Sequence, residues 1–238
     1  MSWIYIVSVL LFLIALTATY LLYQKFFGKE KVDYHPVRFM SRVAIFGAMC
    51  AILYAVPVFK FPLPALFPSF LEFHFDEVPA FICGFAYGPI AGLCCIAIKT
   101  IVKVLISGSS TFFIGEFCDL ILSAIYVGIV TLIYQKKRNL KGVAIGFSAG
   151  TLIQVVVAML LNVYVLIPAY VTMIGESALL AMMNTSNLIG IANVTWSYAF
   201  LAVLPFNLIK DVAVIIITFL IYRSIHTFLR MDKKKTAK

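Results

Sequence analysis

The sequence predicts an all-α polytopic membrane protein, and three observations carry that prediction. Hydrophobic residues make up 63% of the chain and charged residues only 12%, roughly half the charged share of soluble domains. The apolar residues gather into runs long enough to cross ~30 Å of hydrocarbon as helices. Fifteen of the nineteen Lys and Arg residues fall in three segments, Lys25–Arg42, Lys136–Lys141 and Arg223–Lys238. If these share one side, that side is the cytoplasm by the positive-inside rule. The net charge of +9 then reflects topology beside an anionic leaflet, and no nucleic-acid partner is expected.

The elements follow in order. Trp3–Tyr23 is an uninterrupted apolar run with Lys25, Lys29 and Lys31 behind it, a charge order that places the N-terminus outside. Met1-Ser2-Trp3 lacks the basic start of a cleaved signal peptide. Val43–Phe59 reads as the next span. Phe61–Glu77 carries Pro62, Pro64 and Pro68 with Glu72, His74, Asp76 and Glu77, so it reads as an external loop rich in aromatics. A lone loop histidine is more often exposed than a ligand, and His74 is expected to be exposed.

Val78–Tyr87 is too short to cross alone and ends at Gly88-Pro89; Ile90–Ser107 follows. Phe112–Tyr134 and Val143–Tyr170 are spans, Met173–Ser197 an external connection, and Phe200–Tyr222 the last span, so the C-terminus is cytoplasmic. Hydropathy and charge, read separately, agree on seven crossings. The segments are an additional N-terminal transmembrane helix (1–24), a basic linker (25–42), a membrane domain (43–228) and a basic tail (229–238). The five cysteines lie in or near apolar segments with no CxxC spacing, so buried free thiols are expected and no metal site.

Three constellations carry chemistry. Ala44, Ala48, Ala51 and Ala55 recur at helical spacing, a small-residue row on which another membrane helix can dock. The loop offers Phe67, Phe70, Phe73 and Phe75 as ring faces for a flat, partly polar ligand. The apolar segments also hold Lys99, Lys103, Glu116, Asp119, Asn162, Asn207, Lys210 and Asp211. Such groups cost several kcal/mol each in hydrocarbon unless partnered, which makes them functional candidates. Asn207 and Lys210 share a helix face. Amides that donate and accept suit a heterocycle with mixed edges, such as a flavin or pterin. The opposite charges could equally pair into a structural network. The chain has no phosphate loop for ATP, no H-E-x-x-H and no G-x-S-x-G, so it is not read as an enzyme.

Several ordered motifs resemble the substrate-binding S-components of energy-coupling-factor (ECF) vitamin transporters, over about Arg42 to Tyr222. They are Phe61-Pro62-Leu63-Pro64, Phe67-Pro68-Ser69-Phe70-Leu71, Asp76-Glu77-Val78-Pro79-Ala80, Gly84-Phe85-Ala86-Tyr87-Gly88-Pro89, Ile98-Lys99, Gly115-Glu116, Leu161-Asn162 with Pro168, and Leu204-Pro205-Phe206-Asn207-Leu208-Ile209-Lys210. Within the family the chain is most similar to the riboflavin type. The resemblance implies a six-helix S-component core, to which the first span is additional. It also implies that the protein is a substrate-binding subunit of an ATP-driven importer for riboflavin, with FMN a further candidate cargo.

Asn207, Lys210 and Asn162 match ligand-contacting positions of the riboflavin type; Phe67, Phe70, Leu71 and Glu116 complete the expected site. The alanine row would meet the transmembrane partner EcfT, with two ATPase subunits hydrolysing ATP and no cofactor in this chain. Open alternatives are the same fold for pyridoxine, hydroxymethylpyrimidine, folate or pantothenate, a membrane enzyme using Glu116 and Asp119 as acid and base, and an assembly protein with the extra helix as its interface.

Overall fold

The structure is a computed structural model that describes residues 17, 36–62, 66–68, 71–109, 113–184 and 195–236, with side chains left undescribed at 36, 61–62 and 225–236. The expected first span lies outside the described residues, residue 17 apart. The helices are α1 (Pro36–Ala55), α2 (Glu77–Tyr87), α3 (Pro89–Ser107), α4 (Ile114–Lys136), α5 (Leu140–Leu161), α6 (Ile167–Ile174), α7 (Glu176–Met183), α8 (Trp196–Tyr198) and α9 (Leu204–Thr236). Among the described residues, five stretches are long and apolar enough to cross a membrane: Val37–Ala55, Pro89–Ser107, Ile114–Lys136, Leu140–Ile174 and Trp196–Ser224. Among the described residues the fold is all-α apart from a two-residue antiparallel ladder, β1 (Phe61–Pro62) with β2 (Glu72–Phe73), which sets Phe61 opposite Phe73.

Local chemistry fixes the breaks. α1 stops where Val56 is extended ahead of Pro57, because a residue before proline is pushed out of the helical region. Between α2 and α3, Gly88 has φ 102°, a region glycine enters without steric cost. Pro89 then opens α3 with its φ already set. At the α4–α5 turn the Asn139 side chain accepts the Gly142 N–H at 2.8 Å, a standard N-cap arrangement. α2, with 11 residues, is only about 16 Å long. The loop before it fills in, with Phe67, Phe73, His74 and Asp76 all buried.

Two π-helical turns interrupt the later spans, at Asn162–Leu166 and Ala199–Val203. In each, an N–H reaches back five residues, Ile167 to Asn162 and Leu204 to Ala199. Pro168 and Pro205 stand two residues past these turns. A proline lacks its N–H and clashes with the carbonyl four residues back, and a wider turn relieves both problems. The two π turns pack on each other, and Ala158, Val163, Ala199, Ala202 and Val203 share one buried cluster there.

Three boundaries differ from those read in the sequence. The helix of the second span begins at Pro36, inside the expected linker, where proline serves as a first-turn residue. The 173–197 connection contains the end of α6 and all of α7, whose Leu179 and Met183 are buried against the π turns; 185–194 lie outside the described residues. The expected tail is helical to Thr236, as α9 continues past the apolar stretch.

Towards the end bearing the 136–141 and 223–238 segments, the core is aromatic. Phe81 meets Tyr126 and Phe147 at centroid distances of 5.0 and 4.9 Å, and Phe85 meets Tyr134 and Tyr222 at 4.5 and 5.6 Å. The helices close tightly here: a Cβ on Gly146 would lie 2.9 Å from the Val130 carbonyl oxygen.

Candidate binding site

Opposite that aromatic core the bundle is polar. The Tyr54 ring of α1 stands edge-on to His74 at 5.1 Å and 4.6 Å from the Lys99 ammonium. His74 and Lys99 both bond Asp76. Lys99 also reaches Asp119 and the Ser123 hydroxyl, each at 3.0 Å. Ser123 donates to Glu77 Oε1 at 3.0 Å, and Lys210 Nζ donates to the same oxygen at 3.2 Å. One chain of charge thus joins α1, the loop, α2, α3, α4 and α9. Such a cluster adds little net stability over an apolar core, but removing one member strands the rest.

Beside it, α5 and α9 meet through amides. Gln154 Nε2 donates to Asn207 Oδ1 at 3.2 Å, while Asn207 Nδ2 donates to the Val203 carbonyl at 2.8 Å. One turn further along α9, Asp211 is 0% exposed. It lies beside Thr151, whose hydroxyl donates to Tyr126 at 3.1 Å, and neither carboxylate oxygen meets a donor at hydrogen-bonding geometry. Glu77 Oε2 and Gln154 Oε1 are likewise buried acceptors without a donor among the described residues. Buried polar atoms are nearly always satisfied, so Glu77 Oε2 and Gln154 Oε1, without a donor among the described residues, are candidates to receive one from a ligand.

An aromatic wall stands at the same end. Phe206 of α9 takes Phe67 edge-on at 5.4 Å and Phe73 at 4.6 Å, with Leu71 packed against them. The loop is therefore docked on the helix that carries Asn207 and Lys210.

The remaining sequence-predicted residues divide. Asn162 is buried at the first position of its π turn and donates to the Ala158 carbonyl at 2.8 Å. Glu116 bonds Lys103 and, at 2.8 Å, Ser109, at the α3–α4 turn and away from the Lys210 pair. Phe70 lies outside the described residues. His74 is 9% exposed, against the expectation of an exposed loop residue; its two ring nitrogens face Asp76 and Asp119, the latter at 3.8 Å. The alanine row is split: Ala44 and Ala48 are exposed, Ala55 is half-buried, and Ala51 is in the core at 3%. Among the described residues no three His, Cys, Asp or Glu are grouped to hold a metal.

The description "ECF transporter, substrate-specific component" matches residues 38–222. The chain belongs to this family of S components. A riboflavin transporter RibU of Staphylococcus aureus is 29% identical over 85% of this chain and 98% of its own length. A riboflavin transporter FmnP of Bacillus subtilis is 25% identical over 82% and 96%. A solved S component of a bacterial ECF transporter superposes with a TM-score of 0.61 at 25% identity, over 81% of this chain and 97% of that one. Family members are transporter components, and this S component shares their multi-pass helical character.

Four residues of its polar core were not singled out from sequence: Asp76, Glu77, Gln154 and Ser123. Glu77 was visible only as one charge of the loop, although it opens an apolar helix where an acid complements the helix dipole. Gln154 is an amide midway along an apolar span, a signal of the same kind as Asn162. Ser123 gave no signal, because serines are common where membrane helices pack.

Proposed function

We propose that this S component captures riboflavin from outside the cell and delivers it inward as the substrate-binding subunit of an ATP-driven ECF importer. The observation that carries the reading is the juxtaposition of Asn207 and Lys210, with their open acceptor neighbours, beneath the aromatic wall of Phe67, Phe73 and Phe206. That arrangement suits a flat ring system with a polar edge. The riboflavin transporters that the chain resembles over most of its length support the same cargo.

In this reading Asn207 and Lys210 hold the polar edge, Asn162 adds an amide, and Phe67, Phe70 and Leu71 cover the ring. Glu116 steadies the neighbouring turn through Lys103. Riboflavin is cargo, and the chain has no cofactor of its own. The basic segments lie on the cytoplasmic side, with the N-terminus outside and the C-terminus inside. Ala44 and Ala48, exposed on α1, present the close-approach surface for EcfT, and two ATPase subunits drive reorientation. The aromatic core offers no route through the bundle, so release inward requires the whole subunit to move.

The test is riboflavin titration of the purified full chain in mild detergent. Saturable quenching of flavin fluorescence is expected, weakened at least tenfold in Asn207→Ala and Lys210→Ala. A protein that ignores riboflavin while binding another vitamin would refute the cargo and keep the family.

A further inference from the structure

The exposed side of α1 and the apolar run ahead of it point to an interaction within the chain. The family match begins at residue 38, and 85% of this chain suffices to cover 98% of the S. aureus relative. The run Trp3–Tyr23 therefore stands ahead of the part shared with the family. It carries no charged residue, so it has nothing to pair with the charged groups of the binding site.

α1 has two unlike sides. Val43, Cys50, Ala51 and Tyr54 are buried. On this side the helix lies close to α3, where a Cβ on Gly47 would come 2.9 Å from the Ile98 side chain. The other side, with Val37, Ser41, Ala44, Ile45, Ala48 and Ile52, is exposed along the length of the helix. Residues recurring every three or four positions make one continuous face. Ala44 and Ala48 lower its middle, so another helix backbone can approach closely.

The chain itself supplies a helix to cover that face. Residues 24–35 alone separate Tyr23 from Pro36, where α1 begins. A flexible linker of this length has an r.m.s. span of roughly 20 Å, ample for the ~8–10 Å between packed helices. Short connections make antiparallel neighbours. Thr17, the described residue of the run, is helical and exposed. At about 100° per residue, Ala15 and Thr19 belong to the side turned away from Thr17, and both are small. An antiparallel register that sets Tyr23 beside Ala44 brings Thr19 beside Ala48 and Ala15 beside Ile52. Ala144 and Ser148 are small and exposed on α5 as well, but the linker is joined to α1.

We propose that residues 3–23 dock antiparallel on the Ala44 and Ala48 face of α1, with Thr19 beside Ala48, and cover it in the free subunit until EcfT displaces them. The displacement rests on the function proposed above; the docking does not.

The experiment uses the full chain reconstituted in lipid vesicles. Thr19→Cys is paired with Ala48→Cys and oxidised with copper phenanthroline. Disulfide-linked peptides are then read by mass spectrometry against the parent chain with its own five cysteines. A link within one chain is expected, roughly fivefold or more above the pairs Thr17→Cys with Ala48→Cys and Thr19→Cys with Ser148→Cys, because a disulfide needs Cα atoms within about 7 Å. Equal yields from the three pairs, or a preference for Ser148→Cys, would overturn the docking. So would a link formed only between two chains, because the occupant would then be a second copy. The second measurement is capture of EcfT with its ATPases. Ala15→Leu with Thr19→Leu, which thickens the docking side, is expected to raise capture about threefold or more, and Thr17→Leu to leave it unchanged, with riboflavin affinity the same in both. Unchanged capture beside a formed cross-link overturns the displacement and keeps the docking. No capture by any form, the parent included, overturns the function proposed above, and the cross-link still decides the docking.

Discussion

The two ends of the bundle solve the same packing problem by opposite chemistry. At one end six rings (Phe81, Phe85, Tyr126, Tyr134, Phe147 and Tyr222) fill the space between α2, α4, α5 and α9, with the Tyr134 and Tyr222 hydroxyls 2.9 Å apart. At the other, ion pairs join α2, α3, α4, α9 and the loop, and buried acceptor oxygens of Glu77 and Gln154 have no donor among the described residues. The aromatic end is dense and finished by its own side chains. The polar end is tied together by charge and completed only by something that donates to it. On the function proposed above, one end is a seal and the other the receptor.

The sharpest way to break this contrast is to remove Lys99. Lys99→Ala strands Asp76 and Asp119 beside each other, a loss of about 3–5 kcal/mol for an unpartnered buried charge. Thermal unfolding in detergent should fall steeply, and riboflavin affinity should fall with it because the loop loses its anchor. Phe81→Ala at the aromatic end should cost about 3–5 kcal/mol through its cavity. Here, however, the flavin affinity of the surviving folded protein should hold; an equal loss of affinity would erase the distinction between the ends.

Asn207→Ala leaves the Gln154 amide without its partner, a penalty of about 1–3 kcal/mol. The effect should be larger in riboflavin titrations than in unfolding curves. Tyr222→Phe takes away the Tyr134 hydroxyl contact and should lower stability by only about 0.5–1.5 kcal/mol, with flavin binding unchanged in the same titration. Smallest of all for the isolated protein is Ala48→Trp on exposed α1. Stability and riboflavin binding should be unaffected, whereas uptake by the assembled transporter in cells should be lost; normal uptake would remove this face from the docking surface.

Much of the fold was legible because hydropathy and charge segregate so strongly, and the Gly88-Pro89 break was visible as two residues with known backbone preferences. Lys99, Asp119, Lys210 and Asp211 were visible as polar groups that hydrocarbon does not tolerate alone. Their pairing was not. Lys210 and Glu77 are 133 residues apart, and no local rule says which carboxylate an intramembrane lysine will find. His74 was misjudged for the same reason, since its burial depends on Asp119 and Tyr54 arriving from two other helices. Pro168 and Pro205 were plain in the sequence, yet whether a helix answers a proline by kinking, stopping or widening depends on its neighbours.

The widened turn at Ala199–Val203 has a consequence for the angular phase of the last helix. A π turn accommodates about one residue more than the α turn it replaces, so everything beyond it is rotated by about 100° relative to an unbroken helix. Asn207, Lys210, Asp211 and Tyr222 face inward, and Leu208, Ile209 and Val212 face outward, at an azimuth set by that extra residue. Losing one residue between Ala199 and Val203 would leave Asn207, Lys210 and Asp211 in the sequence, yet it would swing that polar edge towards lipid and an apolar flank inward. The receptor end thus depends on how many residues precede Asn207 as much as on which ones follow it.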